Sequence, residues 1–391
     1  MNWSLICTVL VIFMQTGFAA MTTGFTRAKN AGHTVAMTMM IIFISILGYW
    51  MIGHGVQMGG RGFFQSGSVD ESVTAYFLFQ TVLMSFAATI PIGAMAERWT
   101  FKSFIVYGFF MSLLIYPLYA SWVWGGGWLS KLGQNYSLGH GVVDFAGSSV
   151  IHMVGGIAGL AGAIVLGPRM GKYRANGTPT AIPGHHIPMA IIGCLILLVG
   201  WFGMNSGAAL AGGEVRVGSI ILNTLLAGVA AALSAMCYTW ILYGKPDISL
   251  SANGLLGGLV AISASCAFVS PIEAVIIGVI AGAFCCMSVF FVERKLKVDD
   301  PVGAVSVHGA CGAWGMIATG LFYGGASQLI AQIIGIVVNV IFIFGTMYLF
   351  FKVLDRIVPM RVSEEVEFEG LDQNEVSVTA YPDFSISKTR R

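Results

Sequence analysis

Long apolar runs broken by short polar interruptions fill the chain from its start to about residue 353. Between the charged interruptions the runs fall at 3–25, 33–58, 74–96, 103–124, 142–167, 186–211, 218–243, 250–269, 272–292, 302–323 and 329–353. Each is close to the roughly 20 residues that cross a bilayer core, and little chain is left for a domain outside it. The pattern predicts an all-α polytopic membrane protein of eleven transmembrane helices. Residues 1–353 are expected to form the membrane domain and 354–391 a tail. The first run is expected to be a helix rather than a signal peptide. Met1-Asn2-Trp3 supplies no basic leader, and Arg27 and Lys29 follow the run.

Composition excludes a soluble enzyme: 56% of the 391 residues are hydrophobic, 10% are charged, and the mean hydropathy is +0.81. The net charge of +2 implies neither nucleic acid nor an acidic partner. The seven cysteines have no redox spacing and read as small core residues. No cofactor is expected.

Charge does set an orientation. With the N-terminus outside and the sides alternating, seventeen of the twenty Lys and Arg residues fall inside, leaving only Arg61, Lys131 and Arg216 outside. Eleven spans then place the C-terminus in the cytoplasm, as expected for a multi-pass protein of the cell (inner) membrane. Residues 354–391 hold eight of the eighteen acids. Val366, Phe368, Leu371, Tyr381 and Phe384 make this tail more apolar than solvation requires, so part of it is expected to dock on the inner face.

One pattern occurs twice. Asp144, Gly147, His152, Gly156 and Gly159 recur at identical spacing as Asp300, Gly303, His308, Gly312 and Gly315. In this topology the first set enters the membrane from outside and the second from inside. The helices are therefore expected to form an inverted five-helix repeat, with a substrate site near the midplane. Eight residues at about 1.5 Å carry each histidine roughly 12 Å into the core. The two rings are expected within hydrogen-bonding distance in one lumen. A histidine at that depth is costly, and a pathway explains it more readily than interhelical glue does. The two aspartates are read first as helix N-caps. No metal site is expected. His33, His54, His140, His185 and His186 are read as surface or interface residues.

At this point a resemblance becomes specific. Gly24-Phe-Thr-Arg-Ala-Lys-Asn30, Gly93-Ala-Met-Ala-Glu-Arg98, Trp124-Gly-Gly-Gly127, the two Asp–His segments and Trp201-Phe-Gly-Met-Asn205 resemble the ammonium transporter family, Amt/Mep, related to the Rh proteins. Gly370-Leu-Asp372 and Ala380-Tyr381 extend the likeness into the tail. The resemblance implies a homotrimer with one pore per subunit, no enzymatic activity, ammonium or ammonia as substrate, and a PII-type signal protein as a partner on the inner face. It makes Trp124 part of an outer recruitment site supported by Asp144, puts Phe79 at the outer vestibule, and makes His152 and His308 the twin pore histidines.

Three positions depart from the family pattern. Leu83 stands at the upper gate, usually Phe; Met204 at the lower gate, also usually Phe; and Ala208 where a vestibule Ser usually accepts a hydrogen bond from ammonium. Two functions follow. One is channel-like transport, with ammonium deprotonated at the vestibule and ammonia passed along the histidines. The other is an ammonium sensor, a divergent bacterial-type member with little or no transport. No nucleophile–base pair suggests an intramembrane enzyme.

Overall fold

The computed structural model describes residues 2–60, 63–64, 71–209 and 216–382. Arg61, Phe384 and the basic residues after 382 therefore lie outside the described residues. Within them the expected all-α architecture is found, without a β-strand. Among the described residues ten helices are long and apolar enough to cross a membrane: α1 Trp3–Phe25, α2 Ala28–Gln57, α3 Glu71–Met95, α4 Phe101–Val123, α5 Ser148–Leu166, α6 Ile187–Ala208, α7 Val217–Tyr243, α9 Pro271–Leu296, α10 Val305–Phe322 and α11 Gly325–Ile357. Between α7 and α9 lies a shorter apolar helix, α8 Ile248–Ile262. Two short helices follow, α12 Glu364–Glu369 and α13 Leu371–Val376.

Two boundaries differ from the apolar pattern for one reason. The run 250–269 stops being helical at Ile262, and the run starting at 142 becomes helical only at Ser148. The irregular segments satisfy each other: Phe145 N–H donates to Ala264 O at 3.2 Å and Ala146 N–H to Ser263 O at 2.9 Å. Ser148 Oγ donates to Val260 O at 2.6 Å and accepts from Ala264 N–H at 2.8 Å. Non-helical backbone is tolerable near the membrane interior only when its polar groups are paired within protein, as here.

Side-chain contacts fix which helix ends share a side. Ser4, Ser72, Trp124, Phe145 and Ala208 surround one recess, which brings together the starts of α1 and α3, the end of α4, the approach to α5 and the end of α6. At the opposite end Glu97 pairs with Arg27 and, at 2.9 Å, with Arg169; Arg169 pairs with Asp299 at 2.8 Å. The chain thus begins on the recess side, and the segment after α11 emerges on the other, called here the tail side.

The tail segment is tied down by carboxylates aimed at backbone N–H groups. Asp372 accepts from Gly32 N–H at 3.0 Å and His33 N–H at 2.8 Å, Glu375 from Phe101 N–H at 2.8 Å, and Glu367 from Met170 N–H at 2.7 Å. Asp372 and Glu375 therefore neutralise free donors at the first turns of α2 and α4. Leu371 is fully buried, whereas Phe368 is 75% exposed and carries Lys29 over its ring. His185 is no simple surface residue: its Nε2 meets the Tyr381 hydroxyl at 2.6 Å and its Nδ1 meets Thr26 O at 2.7 Å. Asp372→Ala should cost about 1–2 kcal/mol, the scale of a lost helix cap. The loss should appear as faster hydrogen exchange at Gly32 and His33; unchanged exchange there would dismiss the cap.

Candidate functional site

The matched segments are built alike. Gly147 and Gly303 both take positive φ, +112° and +81°, which an L side chain rarely adopts, and each is followed by a π-helical turn, Ser148–Met153 and Val305–Ala310. His152 N–H reaches back five residues to Gly147 O at 3.0 Å. Asp144 accepts from Gly147, Ser149 and Val150 N–H at 2.8–2.9 Å, and Asp300 from Ala304 at 2.9 Å and Val305 at 2.7 Å. Both carboxylates are caps, and the helices start at the turns rather than at the aspartates.

The segments cross antiparallel. Gly156, late in the first, lies against Gly309, early in the second; Gly312, late in the second, lies against Ser148 and Met153, early in the first. A Cβ at Gly312 would meet Ser148 O at 2.5 Å, so only glycine permits the approach. Between these contacts His152 Nδ1 faces His308 Nδ1 at 3.1 Å, with ring centroids 5.2 Å apart.

Three aromatic rings enclose the pair. Trp201 stacks on His152 at 5.0 Å and donates its indole N–H to Ser263 Oγ at 2.9 Å, which fixes the ring plane. Phe86 stands edge-on to His152 at 5.7 Å and to His308 at 6.5 Å; Phe18 stacks with His308 at 6.4 Å. His152 Nε2 is buried without a hydrogen-bond partner. Phe86 was findable, since Phe79, Leu83 and Phe86 share one helical face at i, i+4 and i+7. Phe18 sits in a plain apolar run with no motif to mark it.

The recess holds about 350 Å3. Of the residues singled out in the sequence, Phe79, Leu83, Trp124 and Ala208 line it, together with Ser4, Tyr76 and Gln80. Trp124 Nε1 donates to the Asp144 backbone carbonyl at 2.6 Å, so Asp144 holds the indole through its main chain while its carboxylate caps α5. Met204 is fully buried one turn before Ala208 on α6. The recess ends at Leu83 and Ala208, and the rings around the histidines lie further along the same two helices, Phe86 on α3 and Trp201 on α6.

Among the described residues no three His, Cys, Asp or Glu side chains cluster as ligands. Cys311 follows His308 by three residues, a spacing a metal site could use, but its thiol donates to Ala281 O at 3.7 Å.

Comparison with known proteins decides the class. The model of the Ammonium Transporter Family matches residues 2–381. The chain belongs to this family. It is 42% identical to ammonium transporter Amt2 of Archaeoglobus fulgidus, over 99% of this chain and 89% of that protein. It is 36% identical to ammonium transporter Amt1 of Haloferax mediterranei, over 98% and 79%. Among solved structures it resembles a sensor Amt protein, with a TM-score of 0.89, 35% identity and coverage of 96% of this chain and 97% of that one. It also resembles Mep2 of Candida albicans, with a TM-score of 0.82, 25% identity and coverage of 93% and 86%. The protein is therefore a multi-pass membrane protein of a transporter family rather than an enzyme, and family membership supports ammonium transport.

Proposed function

We propose that the protein conducts ammonia in a channel-like manner, recruiting ammonium in the recess and leaving its proton there. The observation that carries this reading is the 3.1 Å Nδ1–Nδ1 contact inside an aromatic box built on two of the helices that line the recess, α3 and α6. Since the two Nδ1 atoms face one another, one bears the proton. That ring's Nε2 is then an acceptor, and the other ring's Nε2 a donor. Ammonia needs both, one for an N–H and one for its lone pair. A bare ammonium ion would be stripped of water among Phe18, Phe86 and Trp201, a cost of several kcal/mol that the neutral molecule largely avoids.

Recruitment falls to Trp124 with Phe79 beside it, and Asp144 as its support. Ala208 offers no hydrogen-bond acceptor, so the indole face carries more of the attraction than it would beside a hydroxyl. Leu83 and Met204 take the gate positions with side chains narrower or more adaptable than phenyl rings. Trp124→Leu should weaken ammonium binding by about 0.5–2 kcal/mol in a calorimetric titration, the range of a cation–π contact. Unchanged affinity would remove Trp124 from the site.

The same reading places the recess outside and residues 354–391 in the cytoplasm, in line with the positive-inside distribution. It assembles the protein as a homotrimer with one pore per subunit and offers the tail side to a PII-type signal protein. Solid-supported-membrane recordings on proteoliposomes, with an internal pH dye, test transport. Ammonium-dependent alkalinisation of the interior without a matching net current is expected, because the proton stays in the recess; an ammonium current equalled by potassium would refute deprotonation.

A second reading, ammonium sensing, is favoured by the likeness to a solved sensor Amt protein together with Leu83, Met204 and Ala208. Measurable ammonium binding without flux would replace the first reading with this one.

A further inference from the structure

A groove of about 560 Å3 runs between α9 and α10 behind the histidine pair. Phe284, Met287, Phe291 and Leu296 form one wall, all at least 38% exposed, while Gly309 and Ala313 lie on the α10 side. Gly309 adjoins His308 in sequence and lies against Ile157 and the Gly156 backbone, and Met153, another lining residue, adjoins His152, so the groove backs onto the segments that carry both histidines. Its only polar lining side chain, Ser288, is already bonded to Ser306 Oγ at 2.9 Å. A polar ligand would find no partner there, which leaves hydrocarbon as the occupant.

Length and charge narrow the choice. Phe284 to Leu296 spans roughly 18 Å of helix, close to the ~15 Å depth of one leaflet. The groove thus runs from mid-membrane to the tail-side end of α9. There Arg294 and Lys295 are exposed, and Arg294 lies over the Phe290 ring at 5.1 Å. Among the described residues neither basic group is in an ion pair. We propose that the groove holds one acyl chain of an anionic phospholipid whose phosphate sits against Arg294 and Lys295. A second copy of the chain would have to cover these two cations without supplying an anion from the groove wall; a lipid phosphate neutralises them in place. The bound chain fills space directly behind Gly309 and so supports the turn that carries His308.

Native mass spectrometry of the full-length protein tests this independently of any flux. Phosphatidylglycerol and phosphatidylcholine with identical acyl chains are titrated in turn. Phosphatidylglycerol should bind more tightly by roughly fivefold per cation. The double substitution Arg294→Gln with Lys295→Gln, both on the surface, should bring phosphatidylglycerol down to the phosphatidylcholine level. Ala313→Phe, which fills the groove, should weaken both lipids alike. Equal affinity of the two lipids for the unsubstituted protein overturns the proposal, as does unaltered binding in Ala313→Phe. A change in oligomeric state on Ala313→Phe without loss of lipid would assign the groove to a second copy instead.

Discussion

Arg169→Leu should lower the protein's unfolding free energy by about 3–5 kcal/mol, the cost of removing one partner from a buried ionic cluster. The Arg169 side chain is 2% exposed and those of Glu97 and Asp299 are fully buried. Its guanidinium donates to Glu97 Oε1 at 2.9 Å, to Asp299 Oδ2 at 2.8 Å and to Asp299 Oδ1 at 3.0 Å. Leucine would leave two carboxylates out of water with Arg27 on one of them. Arg98, which donates to the Asp299 backbone carbonyl at 2.8 Å, would remain as the nearby cation for the other. Arg169→Lys should recover only part of the loss, because an ammonium cannot make the forked contact.

The same cluster predicts a pH dependence. Burial alone would raise the Asp299 carboxyl, but Arg98 and Arg169 outweigh it and hold the group well below its ordinary value. A depressed value in the folded state gives stability that is fully present above the unfolded value of about 4 and is lost as pH falls through the folded one. Thermal unfolding in detergent should therefore show a constant deficit for Arg169→Leu from pH 8 to about 5, shrinking below about 4. A deficit under about 1 kcal/mol at neutral pH would mean that the cluster behaves as a solvated surface pair.

How far the sequence reveals these features depends on what each one rests on. The helices were legible because apolar runs of membrane length admit few alternatives. Residues 263–269 were not, since an apolar stretch reads the same whether it is helical or irregular and paired to Phe145 and Ala146. The histidines were legible through five matched positions. Their enclosure was legible only in part: Phe86 shares a face of α3 with Phe79 and Leu83, and Trp201 a face of α6 with Met204 and Ala208, but Phe18 comes from a third helix with no motif to mark it. Glu97 and Arg98 stood out as a motif, yet their partners at 27, 169 and 299 are far apart in sequence, and a tally of charges by side treats all of them as loop residues. In the tail, composition could not distinguish Leu371, which docks, from Phe368, which does not. That depends on which face α12 and α13 turn inward, and six residues are too few to show a period.

Removing either histidine ring should reduce ammonia flux by roughly ten- to a hundredfold, through loss of a buried hydrogen-bond partner worth about 1–3 kcal/mol. In His152→Ala the Nδ1 of His308 is left facing Phe18 and Phe86 with no partner, and in His308→Ala that of His152 is left against Trp201 and Phe86. Either change also removes one Nε2, so passing ammonia keeps a donor or an acceptor but not both. Folding should suffer less than conduction, because the antiparallel crossing rests on Gly156 and Gly312, which these substitutions do not touch. Potassium should remain excluded in both variants, since the barrier to it is dehydration among apolar rings rather than the imidazoles themselves. Proteoliposome recordings paired with an internal pH dye read the flux, and thermal unfolding in detergent reads the fold. If conduction is unchanged while stability falls, the pair is structural glue between α5 and α10 and the path runs elsewhere. If potassium enters once a ring is gone, the imidazoles, and not the aromatic box, set selectivity.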